Sequence, residues 1–442
     1  MTTQMPTVAI LGASGLIGHS VATDLSEQGI VVRPIARHVS DAQRSAFEDR
    51  LIETAVVDLD VKELTTRLAE LKADILVNCI GILQSGLRDT AENVHVAFME
   101  RLLAAIRTSQ RDIVLVQVSV PGETDEDQTE FGRTKRQAER LIGQSGVSYV
   151  ILRPGFVIAP NAFGGSALIR ALAALPLGLP DTLGRRPLAV TAVSDISATV
   201  AHLAREWSLG RRGWQDVWDV MEWPPSTLTD VVGQFRHHFG GLSPMVALPV
   251  WLMKLGALAA DLAGLLGWSS PIRSTALREL QRGIDGKPET WMSATGIVPR
   301  SLKSSLALVP STIQERWFGR LYLAKALIIG GLALFWLASG FIAISAGYGP
   351  ASAEAIKSGI PSAFAAPLVG LTCALDVFVG SLIAYRKSCR IGLVMGLAVS
   401  LLYMAGATVL APALWVDPLG PLVKVFPSMI LTIVALAILD NR

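Results

Sequence analysis

Charge is what this sequence is short of. Only 17% of its 442 residues are Asp, Glu, Lys or Arg, while 51% are apolar. Soluble domains carry close to a quarter charged side chains, so an ordinary cytosolic protein is excluded. The shortfall is local. Residues 321–442 hold only 11 charged side chains, and the preceding 320 residues hold the other 65, near the soluble norm. No basic run exists, and the formal net charge is only +2. Nothing could neutralise a row of phosphates, so a nucleic-acid partner is excluded. The three cysteines, Cys79, Cys373 and Cys389, are scattered; they form neither a disulfide framework nor a zinc signature. His237 and His238 have no companion ligand within a helical turn, so no metal is expected. Residues 1–7 lack the basic start and apolar core of a signal peptide, and none is expected.

Long apolar runs are present instead. Residues 321–346, 361–385, 391–415 and 419–439 are each long enough to cross about 30 Å of hydrocarbon, predicting an all-α four-helix transmembrane bundle. Arg386, Lys387 and Arg390 crowd the link between the second and third runs, while Glu354, Lys357 and Asp417 are the only charges in the other two links. By the positive-inside rule the basic link is cytoplasmic, and both chain ends with it. The expectation is a multi-pass protein of the inner (cytoplasmic) membrane, with the lipid bilayer as partner.

Asp376 lies about ten residues, roughly 15 Å, from Arg386 and so near mid-bilayer. An acid at that depth is a functional-site candidate and equally a polar tie between helices. It is expected to face the bundle interior, bonded to Tyr403 or leaning towards Lys424; Lys325 reads as a snorkelling end residue. A fifth apolar run, 246–267, fits a crossing poorly, because residues 268–320 would then carry eight Lys/Arg to the outside. Lys254 and Asp261 share a helix face, so a helix lying in the interface is predicted, a buried core helix being the alternative. Seven of the ten tryptophans fall between Trp207 and Trp291, a composition that suits the headgroup level.

The first third reads differently. An apolar run, 8–11, leads into Gly12-Ala-Ser-Gly15-Leu-Ile-Gly18 and then a helical pattern carrying Val21 and Leu25. In such a strand–turn–helix, Gly12 makes the tight turn, Gly15 lets backbone approach a pyrophosphate, and Gly18 lets helix and strand pack. The helix N-terminus faces the anion. A second strand, 30–36, follows at the distance a βαβ unit requires. It ends at Arg37 rather than an acid. An arginine there pairs with a 2′-phosphate, which favours NADP(H) over NAD(H); the bland reading is a solvated surface arginine. Further strands are predicted at 55–57, 75–77, 113–118 and 147–152, ending at Asp58, Asn78, Ser119 and Arg153. The fold expected is a doubly wound α/β domain with a parallel sheet.

These residues resemble a known family, the atypical short-chain dehydrogenase/reductases with their NAD(P)-binding Rossmann domain. The likeness runs over roughly residues 6–235 and is closest to the branch that includes the dehydrogenase-like accessory subunit of respiratory complex I. It rests on the 12–18 turn, Asp58-Leu59, Asn78 to Gly81, Asn93, Ser119, Lys135 and Arg153-Pro154-Gly155. The resemblance implies a cofactor site of Gly12, Ser14, Gly15, Ile17, Gly18, Arg37, Asp58, Leu59, Asn78, Gly81, Lys135, Pro154 and Gly155, with Asp58 at the adenine and Gly155 at the nicotinamide. Ser119 and Lys135 would be the catalytic residues. Residues 315–442 resemble a DoxX-like membrane module, through Trp317, the segment 321–325 and the segment 417–424.

The family's reaction uses a tyrosine four residues before the lysine, about one helical turn, so that both groups share a face. Here the segment reads Phe131-Gly-Arg-Thr-Lys135, and the hydroxyl is missing. A positioned general acid supplies about 10²–10⁴-fold; its loss disfavours ketone reduction and leaves cofactor binding untouched. Two readings stay open: an oxidoreductase passing hydride to a lipophilic acceptor such as a quinone, or a catalytically silent NADP(H)-binding subunit or sensor. Nucleotide-sugar epimerase or lyase chemistry is disfavoured, since it leans on the same tyrosine. His95, on an apolar helix, reads as packed rather than as a replacement acid. Glu139 reads as one half of a helix-face ion pair, and the acidic run 123–130 as a solvated loop. The stretches 156–165 and 214–223 are expected at the pocket rim, and the segment 190–196 as a return to the sheet. The domains predicted are 1–235, nucleotide-binding; 236–320, a connector with the interfacial helix; and 321–442, the membrane bundle.

Overall fold

The computed structural model describes residues 5–86, 89–122, 127–268, 270–418 and 420–439. The chain divides into two units, Met1–Ala260 with Pro271–Gly319, and Asp261–Ser270 with Arg320–Arg442.

The centre of the first unit is a seven-stranded parallel sheet. Its strands in chain order are β1 Thr7–Leu11, β2 Val31–Ala36, β3 Ile52–Glu53, β4 Ile75–Asn78, β5 Val114–Val118 and β6 Ser148–Pro154. Three short strands follow, β7 Phe156–Ile158, β8 Leu177–Gly178 and β9 Val190–Ala192, then β10 Gln215–Val220 and β11 Val246–Ala247. The sheet order is β10-β6-β5-β4-β1-β2-β3, with the reversal of winding between β1 and β4. In open parallel sheets ligands bind beyond the strand ends at such a reversal. Strands β4 and β5 are buried along their whole length, which is why they read as unbroken apolar runs. Register places Leu11 beside Asn78, Asn78 beside Gln117, Val118 beside Leu152, and Pro154 beside Val220. All these strands therefore end along one edge.

The third strand differs from expectation. Residues 52–53 pair with β2, while Val56–Asp58 forms a 3₁₀ turn; an edge strand of two residues leaves no alternation to read. The segment 190–196 does not rejoin the main sheet, since β9 pairs with β7 in a small sheet of its own. Trp214 and Trp218, expected at a rim or headgroup level, are core residues, as is Trp291. The Trp291 indole donates to Thr199 Oγ1 at 3.0 Å.

In the second unit, Ile313–Ser345, Ser362–Ala384 and Cys389–Leu410 are long and apolar enough to cross a membrane. Of the fourth expected span only Val425–Ile438 is helix, and Leu419 lies outside the described residues. Fourteen residues reach about 21 Å, short of about 30 Å of hydrocarbon. The third run also stops early, at Leu410, before the 3₁₀ turn Pro412–Trp415. An unforeseen helix, Tyr348–Lys357, fills the first link.

The long helices touch through glycine. A Cβ on Gly380 would stand 2.8 Å from Leu337 N, and one on Gly392 would stand 2.6 Å from Ile383 N, so backbones meet where side chains are absent. Between them sits Asp376, 7% exposed. Tyr403 donates to its Oδ1 and Ser339 to its Oδ2, each at 3.0 Å. Of the two partners expected, Tyr403 and Lys424, Tyr403 is found, and Ser339 joins it unforeseen. Lys325 donates to the Leu439 carbonyl at 3.0 Å, closing the end of the short helix.

Candidate nucleotide site at the carboxyl edge of the sheet

The turn after β1 is built as three glycines require. Gly12 has φ +81°, in the left-handed region, and a Cβ there would stand 3.2 Å from the Ile80 backbone. A Cβ on Gly18 would lie 2.3 Å from Gly12 O, so the helix Leu16–Glu27 presses directly on the turn. Gly15 caps that helix without any side-chain hydrogen bond. Its first N–H groups are therefore left for an anion, the arrangement that holds a pyrophosphate. Ser14 gives its carbonyl to Gln43 Nε2 at 3.1 Å, and Ile17 turns its side chain onto the core; each serves the turn through its backbone. The cradle fits the nucleotide.

Arg37 is not idle. Its Nη1 donates to Asp89 Oδ2 at 2.9 Å, with 51% of the arginine side chain exposed. Asp58 is exposed, but the Leu59 and Val57 carbonyls are held by Arg101, at 3.2 and 2.7 Å. Asn78 is buried and shapes the loop after β4. Its amide donates to Gln117 Oε1 at 2.8 Å, and its Oδ1 accepts Ile80 N–H at 3.1 Å.

That loop wraps Lys135, from the helix Glu130–Gln144. Lys135 Nζ donates to Val118 O at 3.1 Å and Ile80 O at 3.4 Å, and a Cβ on Gly81 would stand 3.0 Å from it. Burial lowers the Lys135 ammonium to about 8, against the pull of Cys79 and Glu139, while burial pushes the Cys79 thiol up to about 12. Ser119 is buried, and its hydroxyl has no hydrogen-bond partner among the described residues. It neighbours the Glu139 carboxyl. Burial pushes that carboxyl up, but Arg153 and Arg136, with Ser119, bring it below its usual value. The helix-face ion pair expected of Glu139, four residues after Lys135, is formed instead with Arg136 at 3.1 Å, and Arg153 joins it at 2.6 Å.

Where a tyrosine would stand, the Phe131 ring meets His95 edge-on, centroids 5.8 Å apart. His95 is 3% exposed and lies on one turn of π-helix, Glu92–Ala97, an irregularity common at functional sites. Its Nε2 accepts Ile82 N–H at 3.1 Å, so Nδ1 carries the proton and donates to Thr134 Oγ1 at 2.7 Å. Thr134 passes its own proton to Glu130 O at 2.9 Å. Burial, and then Lys135, lowers His95 to about 3. Locked and neutral, it has no proton to offer outward, as its apolar neighbours suggested.

Packing also accounts for Gly155 and Pro154, and one expectation, the solvated acidic run, is corrected. Gly155 is required by its neighbour β9, since a Cβ would stand 2.2 Å from Ala189 O, and its N–H donates to Thr191 Oγ1 at 2.8 Å. Pro154 is the buried end of β6. The acidic run is not all solvated: residues 123–126 lie outside the described residues, but Asp127 is buried between Arg136 and Arg282, at 3.2 and 3.5 Å. Nothing in the residue pattern points to the π-turn, and Asp89 and Arg282 as partners are distant in the chain.

Residues 12–170 match the NAD(P)H-binding family, and residues 333–433 match the DoxX-like family. The chain joins an NAD(P)H-binding domain to a DoxX-like membrane domain. Among solved structures it resembles MoeE5 in complex with UDP-glucose and NAD, at 20% identity and a TM-score of 0.51, over 72% of this chain and 99% of that one. It also resembles the UDP-glucose 4-epimerase of Thermotoga maritima, at 14% identity and 0.52, over 72% and 99%. The UDP-glucuronic acid 4-epimerase of Bacillus cereus is similar at 15% and 0.52, over 72% and 99%. At these identities the likeness is one of fold alone. No curated protein matches the chain.

Proposed function

We propose that this protein is a membrane-bound NADP(H)-binding oxidoreductase whose acceptor is lipophilic and needs no side-chain acid, such as a quinone. The observation that carries the reading is the pairing of an intact cradle, Gly12, Gly15, Gly18 and Lys135, with Phe131 in the acid's place. Bound nicotinamide would supply a hydride. The one proton that a quinol needs beside the hydride would come from solvent, since His95 is locked. In this reading Gly15 and the helix start hold the pyrophosphate, Asp58 the adenine, Lys135 the ribose, and Arg37 leaves Asp89 for the 2′-phosphate. The basic residues Arg386, Lys387 and Arg390 support a cytoplasmic placement of their link and of the nucleotide site.

A second reading, a catalytically silent NADP(H)-binding subunit, is favoured by the apolar Phe131–His95 contact where a reacting group would stand. Titrating the solubilised protein with NADPH and NADH, followed by nucleotide fluorescence, tests both. NADPH should bind more tightly than NADH; binding of neither overturns both readings. Phe131→Tyr then separates them. Quinone reduction present before the change and unaltered by it supports the oxidoreductase. Activity seen only in the variant, and then only on carbonyl compounds, supports the silent form.

A further inference from the structure

The helix Val250–Leu265 carries a stripe of exposed apolar side chains. Trp251, Leu255, Leu258, Leu262 and Leu265 are between 53% and 71% exposed. At about 100° per residue the five fall within roughly 40° of one line. The opposite side holds the buried Ala257 and Ala260, and Lys254 with Asp261 borders the stripe. An apolar face this long on a water-exposed helix needs a cover.

The far end of this helix says which. The Leu266 carbonyl accepts from Arg386 N–H at 3.0 Å, and the Trp268 indole donates to Ala384 O at 2.7 Å. The Arg386 guanidinium lies over the Trp268 ring, 5.2 Å from its centroid. Ala384 is the last residue of a helix long and apolar enough to span. A tryptophan and an arginine at a span's end mark the headgroup level, so the apolar stripe begins where the bilayer surface is.

We propose that the helix Val250–Leu265 lies in the lipid monolayer on the side of Arg386 and Arg390. Its stripe is sunk among the acyl chains, with Lys254 and Asp261 at the headgroups. The occupant is phospholipid, because the helix is continuous with the end of a span and Arg386, Lys387 and Arg390 beside it suit anionic headgroups. The proposal goes beyond the oxidoreductase reading and does not depend on it.

The test uses the full chain, its three cysteines replaced by alanine, in vesicles of phosphatidylethanolamine and phosphatidylglycerol. Nitroxide labels are placed singly on Leu255→Cys, Leu258→Cys, Leu262→Cys and Lys254→Cys. On the stripe, collisions with oxygen should exceed those with a water-soluble nickel chelate severalfold, and the excess should fall at Lys254→Cys. Nickel-dominated collisions on the stripe would overturn the proposal, as would spin–spin broadening from a second copy. Trp251→Phe in the cysteine-containing chain gives an independent reading: brominated lipid should quench a smaller share of its fluorescence than of the parent's. Equal quenching would count against the monolayer.

Discussion

Glycine does opposite work in the two units. Around the sheet, Gly12, Gly18 and Gly155 admit a turn, a helix end and a neighbouring strand, each shaping the edge where a nucleotide fits. Among the long helices, Gly380 and Gly392 admit only another helix. In water the hydrophobic effect drives burial, and glycine is spent on geometry. Within lipid that drive between helices is absent, and close backbone contact supplies the association. Polar groups divide the same way. The nucleotide unit buries charged networks such as Asp127, Arg136 and Glu139, whereas Asp376 has only hydroxyl partners among the described residues.

The largest effect expected is from Gly18→Ala, whose Cβ would collide with the Gly12 carbonyl. Overpacking of this kind costs about 1–3 kcal/mol. The turn can relieve it only by opening, so NADPH binding should fall tenfold or more, read by nucleotide fluorescence. A normal affinity would show that the turn's geometry is not what binds. Arg37→Ala comes next. The loss of a charge-assisted bond of about 1.5–3 kcal/mol, offset by the freed Asp89, should weaken NADPH about tenfold and leave NADH unchanged. An equal loss for both nucleotides would assign Arg37 to the surface alone.

For Asp376→Leu the change is smaller, about 1 kcal/mol, because buried hydroxyls in lipid find substitute acceptors. Denaturation in mixed micelles should show the shift in the helical unit only. The smallest effect under ordinary conditions is that of His95→Gln, and it grows with acid. His95 titrates near 3 in the folded chain against 6.5 unfolded. Its contribution is intact above about 6.5, and below that the unfolded state takes up a proton the folded state refuses. Stability lost in this way reaches about 2 kcal/mol at pH 5. The variant should show a flatter decline of melting temperature between pH 6.5 and 4; an unchanged slope would mean that other groups set the acid limit.

What could be read from the sequence was local or periodic. The glycine turn, Lys135 with Phe131 one turn away, the apolar strands and the depth of Asp376 opposite Tyr403 all follow from spacing along one element. What could not be read lies across the chain: Asp89 is 52 residues from Arg37, and the backbone that demands Gly155 is 34 positions on, at Ala189. A hydropathy window also passes over backbone breaks. Pro412 and the chain beyond it end one helix and delay the next without changing the apolar count.

The route of the chain between the units has a practical consequence. It leaves the nucleotide unit after Ala260, returns at Pro271, and departs again after Gly319. Cutting at Gly319 would therefore not yield a clean soluble domain. The fragment would keep 261–270 without the Ala384 and Arg386 that hold it, leaving Leu262, Leu265, Leu266 and Trp268 in water as an adhesive helix end. A well-behaved soluble version would need the exposed side chains from Trp251 to Leu266, and Trp268 with them, made polar as well as the terminal deletion.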